Sequence, residues 1–176
     1  MSAPSRESSV VVRRATVKDV RFLRDMLHHA FYAREAVAGQ EEPVYRYVIG
    51  WGRDGDAGLI ALDEGFPAGA AWYRLFTEDE AGYGFVDEQT PELAIAVVPS
   101  RRGRGIGELL LTSLLDRARA DGVGQLSLSV ERGNPALRLY EKHGFRVVHE
   151  AGNAYTMLAT LGTGGRKAEG GDEDGR

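Results

Sequence analysis

The sequence predicts a single α/β domain over residues 10–161, with a central mixed β-sheet flanked by helices on both faces. A chain of 176 residues with 43% hydrophobic residues has the length and apolar content of one globular domain. In its second half, strand-like apolar runs alternate with amphipathic helices. The neighbouring strand segments 68–76 and 92–98 have no helix between them, so the sheet is expected to be mixed rather than fully parallel.

The predicted strands are short apolar runs bounded by turn residues: 10–12, 59–62, 68–76, 92–98, 126–130, 145–149 and 154–158. Trp72 and Tyr73 are adjacent on one of these strands and therefore point to opposite sides of the sheet. We expect one of them to face the core and the other to face a substrate cleft.

The first helix is predicted to end near Ala30, because Thr16 and Asp19 have the spacing of a capping box and apolar residues follow at helical intervals. A second helix is predicted over residues 105–120, where leucines recur at positions i, i+3 and i+4. Residues 31–55 predict an irregular helical region that ends in turns rich in glycine and aspartate.

The two ends of the chain are polar, and residues 1–9 and 162–176 are expected to be disordered. No apolar run reaches the roughly 20 residues that span a bilayer, and residues 1–9 lack the apolar segment of a secretory signal, so a cytoplasmic protein without membrane contact is expected. The net charge of −4 disfavours a nucleic-acid partner. Because the chain has no cysteine, it has no thiolate metal ligand, and its four histidines have no metal-ligand spacing.

The sharpest local signal is the segment AIAVVPSRRGRGIG at residues 94–107, an apolar strand followed by a basic, glycine-rich turn and a helix. The start of a helix presents unpaired backbone N–H groups, and glycines let phosphate oxygens approach them. The alternative is a tight turn whose glycines serve backbone geometry only. Neither the dinucleotide pattern nor the Walker pattern of phosphate binding is matched. The turn therefore predicts a pyrophosphate site.

The second signal is NPALRLYEKHGF at residues 134–145, a helix capped by Asn134 and ended by Gly144. Tyr140 shares a helix face with apolar residues, so the helical pattern alone favours a core aromatic at this position.

Together these two segments resemble the acyl-CoA motif and the following helix of the GNAT superfamily of N-acetyltransferases. The resemblance covers residues 92–145, and Arg102-x-x-Gly105-x-Gly107 stands where that family has its Gln/Arg-x-x-Gly-x-Gly/Ala pattern. It implies that the coenzyme A pyrophosphate is held by Arg102, Gly103, Arg104, Gly105, Ile106 and Gly107. It also implies that the backbone of Val97 and Val98 pairs with the pantetheine arm, where the sheet opens.

The same resemblance implies the function: transfer of an acetyl group from acetyl-CoA to a primary amine by direct attack in a ternary complex, with no metal. Tyr140 would be the general acid beside the thioester sulfur. Asn134 would lie near the coenzyme arm, or would serve only as the helix cap. A non-catalytic acyl-CoA-binding sensor on the same fold is the alternative.

The attacking amine must lose a proton, and three candidates for the base are Glu92 at the start of its strand, Glu131 and water. The acceptor, a small molecule or a peptide, is expected to bind between the early helices and the acidic loop 77–90, which is otherwise a solvated loop. A homodimer is possible. The identity of the amine, the acyl-chain preference and the oligomeric state do not follow from the sequence.

Overall fold

The computed structural model of the chain describes residues 9–31 and 42–162. Its strands are β1 (Val10–Arg14), β2 (Ala57–Asp63), β3 (Phe66–Arg74), β4 (Glu92–Val97), β5 (Gln125–Glu131), β6 (Arg146–Ala151) and β7 (Ala154–Thr160). Its α-helices are α1 (Val20–Ala30), α2 (Glu42–Tyr45), α3 (Ile106–Ala120) and α4 (Ala136–Lys142). Single 3-10 turns cover Val17–Asp19, Glu78–Glu80 and Pro99–Arg101. The termini predicted to be disordered, apart from Ser9 and Gly162, and part of the predicted helical region 31–55 lie outside the described residues.

The seven strands form one sheet in the order β1-β2-β3-β4-β5-β7-β6. The pair β4–β5 is parallel and every other neighbouring pair is antiparallel, which confirms the predicted mixed sheet. The parallel pair needs a crossover, which α3 supplies, whereas short turns suffice for the hairpins β2–β3 and β6–β7.

Helices cover both faces of the sheet, as predicted. One face packs against α3, through a stripe that includes Leu110, Leu111 and Leu114. The opposite face packs against α1 and the segment after α2. Trp72 is buried on the α1 side and Tyr73 on the α3 side. Tyr73 also lines a cavity of about 440 Å³ beside residues 121–124, but neither ring lines the cavity between β4 and β5 that is described below. Each ring fills a core because both faces of β3 are covered by helices.

The entry to α1 is the predicted capping box, although the box opens the 3-10 turn Val17–Asp19 that leads into the helix. The Thr16 hydroxyl accepts the Lys18 N–H at 3.3 Å, and Asp19 Oδ2 accepts the Thr16 N–H at 2.7 Å. Arg13 holds both oxygens of Asp19 at 2.8 Å. This guanidinium, together with the Thr16 N–H, lowers the pKa of Asp19 to about 2 against the opposing effect of burial.

A buried ion pair fixes the segment after α2 against the sheet. The Arg74 side chain is completely buried, and it binds both carboxylate oxygens of Asp56 at 3.0 and 2.7 Å. The same guanidinium donates to the carbonyls of Arg46 and Ile49 at 2.9 and 2.7 Å. Because its donors meet acceptors on two segments, Arg74 ties residues 46–56 to the end of β3.

Candidate active site

A gap between two neighbouring strands forms the site. The only registered pair between β4 and β5 is Glu92 with Ser127, where the Ser127 N–H donates to the Pro91 carbonyl at 3.0 Å. Beyond this pair the two strands separate towards their carboxyl ends. Ligands of open α/β sheets commonly bind at this kind of opening.

The gap holds a cavity of about 390 Å³. Its walls come from β4, the glycine-rich turn, β5, α4 and the end of α1. The residues that line it are His29, Ala30, Phe31, Leu93, Ala94, Ile95, Ala96, Val97, Arg101, Arg102, Gly103, Gly105, Ile106, Gly107, Leu128, Ser129, Val130, Asn134, Pro135, Ala136, Leu139 and Tyr140. The cavity therefore joins the two sequence motifs, which lie on opposite sides of the gap.

The edge of β4 that faces the gap presents backbone hydrogen-bonding groups. The Val98 N–H donates to the Ala68 carbonyl of β3 at 2.8 Å, so this N–H points away from the gap. Since successive backbone groups of a strand alternate in direction, those of Ile95 and Val97 point towards the gap. The Val98 carbonyl is also occupied, by the Arg101 N–H at 2.9 Å. Of the predicted pair, Val97 therefore presents its N–H to the gap, and Val98 does not.

The glycine-rich turn forms a cradle at the mouth of the cavity. Gly103 and Gly105 have φ angles of 78° and 81°, which side chains disfavour, and an added Cβ would meet no atom within 4 Å at either position. Gly105 caps α3, and its carbonyl accepts the Leu109 N–H at 3.1 Å. The N–H groups of the first turn of α3 have no partner within a helix and lie at its positive end, which is an arrangement that binds anions.

The three arginines of the turn have different roles. Arg101 and Arg104 both bind the carboxylate of Asp63 at the end of β2, Arg104 at 3.4 Å. These guanidinium groups and the Ser9 hydroxyl lower the pKa of Asp63. Arg102 lines the cavity, has no ion-pair partner among the described residues, and donates from Nε to the Val97 carbonyl at 3.3 Å. Arg104 and Val98, both predicted cofactor contacts, do not line the cavity, whereas the other predicted cofactor residues do.

A negative charge in the first turn of α3 is compensated by α4. Glu108 accepts from the Lys142 ammonium at 2.6 Å and lies 3.1 Å from His143 Nε2. Both contacts lower the pKa of the Glu108 carboxyl. These two contacts fix the end of α4 to the start of α3, the helix that follows the cradle.

Tyr140 combines the two interpretations that the sequence left open. Its ring packs in the α3-side core and contacts Phe145 with a centroid distance of 5.9 Å, while the residue also lines the cavity. Its hydroxyl has no hydrogen-bond partner within residues 9–31 and 42–162. Burial raises the pKa of the Tyr140 phenol above its ordinary value of 10.0, so the group stays protonated at neutral pH.

Asn134 caps α4 and also lies on the cavity wall, where the sequence left open a helix cap or a position near the coenzyme arm. Its Oδ1 accepts the Ala136 N–H at 2.9 Å, and its carbonyl accepts the Leu137 N–H at 3.1 Å, so it caps α4. At the same time Asn134 lies on the cavity wall. The αL stop predicted at the far end of α4 is present at Gly144, whose φ is 91°.

Neither carboxylate considered as a base reaches the cavity. Glu92 is 1% exposed on the α1 side of β4 and accepts hydrogen bonds from the Tyr47 hydroxyl and the Gly84 N–H. Glu131, at the end of β5, is absent from the cavity lining. Among residues 9–31 and 42–162, no group of acidic or histidine side chains is arranged to hold a metal ion. No helix in this part of the chain has the length and apolarity needed to cross a membrane.

Two parts of the cavity wall were not identified residue by residue from the sequence. His29, Ala30 and Phe31 enter it from the last turn of α1, and residues 128–130 enter it from β5. Helical periodicity identifies the buried face of α1 but not which end of the helix reaches the gap. A second cavity of about 910 Å³ lies elsewhere on the α1 side, and Glu80 and Glu88 of the acidic loop contribute to its lining.

Comparison with known proteins gives the family. A sequence model described as the Acetyltransferase (GNAT) family matches residues 21–145. Mycothiol acetyltransferase of Corynebacterium glutamicum is 38% identical over 90 residues, which cover 44% of this chain and 31% of that protein. The [ribosomal protein bS18]-alanine N-acetyltransferase of Haemophilus influenzae is 43% identical over 61 residues, 35% of this chain and 42% of that protein. The matches thus span about a third to two fifths of the length of these relatives.

Solved structures match over a larger part of the chain. A ribosomal-protein-alanine N-acetyltransferase from Brucella melitensis is 28% identical with a TM-score of 0.64, over 86% of this chain and 99% of that one. The PaiA N-acetyltransferase of Thermoplasma acidophilum, solved in complex with coenzyme A, has a TM-score of 0.60 at 16% identity over the same shares, a likeness of fold alone. With a family match over most of its length and this fold around the gap between β4 and β5, the chain belongs to the GNAT family of acetyltransferases.

Proposed function

We propose that this protein transfers an acetyl group from acetyl-CoA to a primary amine. The observation that carries the proposal is the cavity between β4 and β5, because its wall includes both an anion-binding cradle and a buried, protonated tyrosine. A site with those two features suits a substrate that has phosphates at one end and a leaving group at the other.

The described residues fit coenzyme A. The cradle of Gly103 and Gly105 leaves open space where side chains would stand, and the start of α3 together with Arg102 supplies donors and positive charge for a pyrophosphate. The free edge of β4 at Ile95 and Val97 offers hydrogen bonds to an extended amide-bearing arm. The coenzyme A found in the Thermoplasma acidophilum neighbour supports this assignment. When bound, acetyl-CoA would supply the activated acetyl group.

In the proposed transfer the amine nitrogen attacks the acetyl carbonyl, so that an N–C bond forms and the C–S bond breaks. Tyr140, which lines the cavity, would donate its phenolic proton to the departing sulfur and then recover a proton from water. The proton of the amine passes to water, because neither Glu92 nor Glu131 lines the cavity. Direct attack needs no protein nucleophile, which agrees with a chain that has no cysteine.

The acceptor is proposed to be the amine of a small molecule or a peptide. Phe31 and His29 give the α1 side of the cavity an apolar and a polar group on which such an amine would bind. The names of the relatives include mycothiol and an alanine of a ribosomal protein, which supports an acceptor of either kind.

The test is turnover of acetyl-CoA with a panel of primary amines by the wild type and by Tyr140→Phe. Loss of the acid should lower kcat roughly 100-fold, while the Kd for acetyl-CoA and the stability stay close to wild type. Tyr155→Phe is the control, because Tyr155 contacts Arg132 through its ring face. Equal kcat for wild type and Tyr140→Phe would remove Tyr140 from the mechanism.

The pH profile gives a second check. Because burial raises the pKa of Tyr140, its acid form persists above pH 10.0, and the rate should not decline on the alkaline side below that value. Tight acetyl-CoA binding without turnover of any amine would instead indicate a non-catalytic binding module.

A further inference from the structure

Glu92 is a buried charged group that the proposed chemistry does not use. It is 1% exposed at the start of β4, with its side chain on the α1 side of the sheet. Its Oε2 accepts a hydrogen bond from the Tyr47 hydroxyl, and its Oε1 accepts the Gly84 N–H at 3.1 Å. A buried carboxylate persists where donors of this kind replace its hydration.

Tyr47 is fixed at both of its ends. Its carbonyl accepts from the Trp72 indole at 2.9 Å, and its hydroxyl, besides donating to Glu92, accepts the Tyr83 N–H at 2.9 Å. The ring itself is completely buried. Glu92 and Tyr47 thus together hold the N–H groups of two successive loop residues, Tyr83 and Gly84.

These loop residues cross the gap between the strands. A Cβ added to Gly84 would lie 2.5 Å from the backbone carbon of Leu128 and 2.7 Å from the backbone nitrogen of Ser129, so the loop touches the backbone of β5 directly. The N–H of Gly84 in the same loop donates to Glu92, which lies on β4. Residues 82–84, here called the strap, therefore bridge β4 and β5 on the α1 side.

The strap stands directly behind the cavity wall. Phe31 lines the cavity, and its ring contacts those of Tyr47 and Tyr83 at centroid distances of 4.8 and 5.4 Å. Leu128 and Ser129, on which the strap rests, line the same cavity. A displacement of the strap would thus move wall residues from both α1 and β5.

We propose that Glu92 is a positioning residue, which holds Tyr47 and the strap and thereby shapes the acceptor side of the cavity, and that it is not the general base. Its carboxylate is one layer removed from the cavity. The role in catalysis rests on the proposed acetyl transfer, whereas the strap itself does not.

Two variants separate positioning from base catalysis. In Glu92→Gln the amide offers one oxygen and one NH₂ group, so either Tyr47 or Gly84 loses its acceptor. In Tyr47→Phe the carboxylate remains but its hydroxyl partner is lost, and so is the acceptor of the Tyr83 N–H. A base role predicts a defect in Glu92→Gln alone, whereas a positioning role predicts the same defect in both.

Amide exchange and steady-state kinetics are measured on both variants and on the wild type. We expect the Tyr83 or Gly84 amide to exchange about tenfold faster, the ratio that loss of one hydrogen bond to a charged group implies. With a turned-over amine, its KM should rise about tenfold in both variants, with kcat within about threefold, an unchanged pH profile and an unchanged Kd for acetyl-CoA.

Gly84→Ala tests the strap from the opposite side, since its Cβ would collide with β5 while Glu92 stays intact. Gly124→Ala is the matched control, because a Cβ there meets nothing within 4 Å.

A kcat that falls about 100-fold in Glu92→Gln, with Tyr47→Phe near wild type, would establish Glu92 as a base and overturn the proposal. Unchanged exchange at Tyr83 and Gly84 would overturn the strap, and a wild type without turnover would refute the acetyl transfer while leaving the exchange result valid.

Discussion

Placing a negative charge in the cradle tests the phosphate site most directly. Gly105 has a φ of 81° and open space where a Cβ would stand, so Gly105→Glu fits sterically but pays a backbone cost of about 1–2 kcal/mol. Gly105→Ala has the same backbone cost without the charge. Comparing these two variants therefore isolates electrostatic repulsion from strain.

The size of the repulsion follows from the separation. At about 5 Å, each unit charge of a pyrophosphate repels the new carboxylate by about 0.8 kcal/mol in water and about 3 kcal/mol at an effective dielectric constant of about 20. For two charges the lower limit is about 1.7 kcal/mol, or about a 15-fold weaker binding of acetyl-CoA. Gly105→Ala has the same backbone strain and also places a methyl group in the cradle, so the ratio of the Kd values of the two variants reports the added charge.

Calorimetric titration with acetyl-CoA measures this ratio, after thermal melts have shown that both variants fold. The difference between Glu and Ala should shrink in about 1 M salt, where the Debye length falls to about 3 Å. Equal Kd values for the two variants in low salt would mean that the phosphates do not bind at this turn, and the cofactor assignment would fail.

Two further predictions concern stability. Arg74→Met removes the bidentate partner of the buried Asp56 carboxylate, which keeps Arg53 at 3.9 Å and the backbone N–H groups of residues 52 and 53. It should lower the free energy of unfolding in urea by about 3 kcal/mol. Arg119→Met, whose pair with Asp116 is exposed, should lower it by less than about 1 kcal/mol, and similar losses in the two variants would refute the importance of burial. Asp19→Asn should destabilise the protein by about 1 kcal/mol at pH 7. Because the pKa of Asp19 is lowered from 3.8 to about 2 on folding, the wild type loses this advantage as the pH falls through that interval, and a difference in urea unfolding that did not shrink there would contradict the assignment.

The parts of the fold that depend on residues close together in the sequence could be predicted from it. The capping box at Thr16, the stripe on α3 and the stop at Gly144 are all local patterns, and all are present. The predicted ends of the strands were less accurate, because pairing with a partner strand determines where a strand ends. β3 ends at Arg74 rather than at Phe76 since Arg74 pairs with Glu92, the first residue of β4.

The candidate site was predicted as two motifs, and its interior was not. The cradle and Tyr140 lie within continuous segments, so their spacing and their family resemblance reveal them. The pairs Asp63–Arg101 and Tyr47–Glu92 join residues 38 and 45 positions apart, and such contacts are set by strand order and register. Glu92 accordingly gave the same sequence pattern whether its carboxylate faced the cavity or the core.

The separation of β4 from β5 has a consequence for how the protein responds to heat and to ligand. With one registered pair between them, the two parts of the sheet, β1–β4 and β5–β7, share little backbone bonding of their own. A ligand bound in the gap would link them, and it would do so only in the folded state. At a concentration 100 times its Kd, such a ligand stabilises the native protein by about 2.7 kcal/mol. The melting temperature of this protein would then rise with the concentration of the ligand that fills the gap.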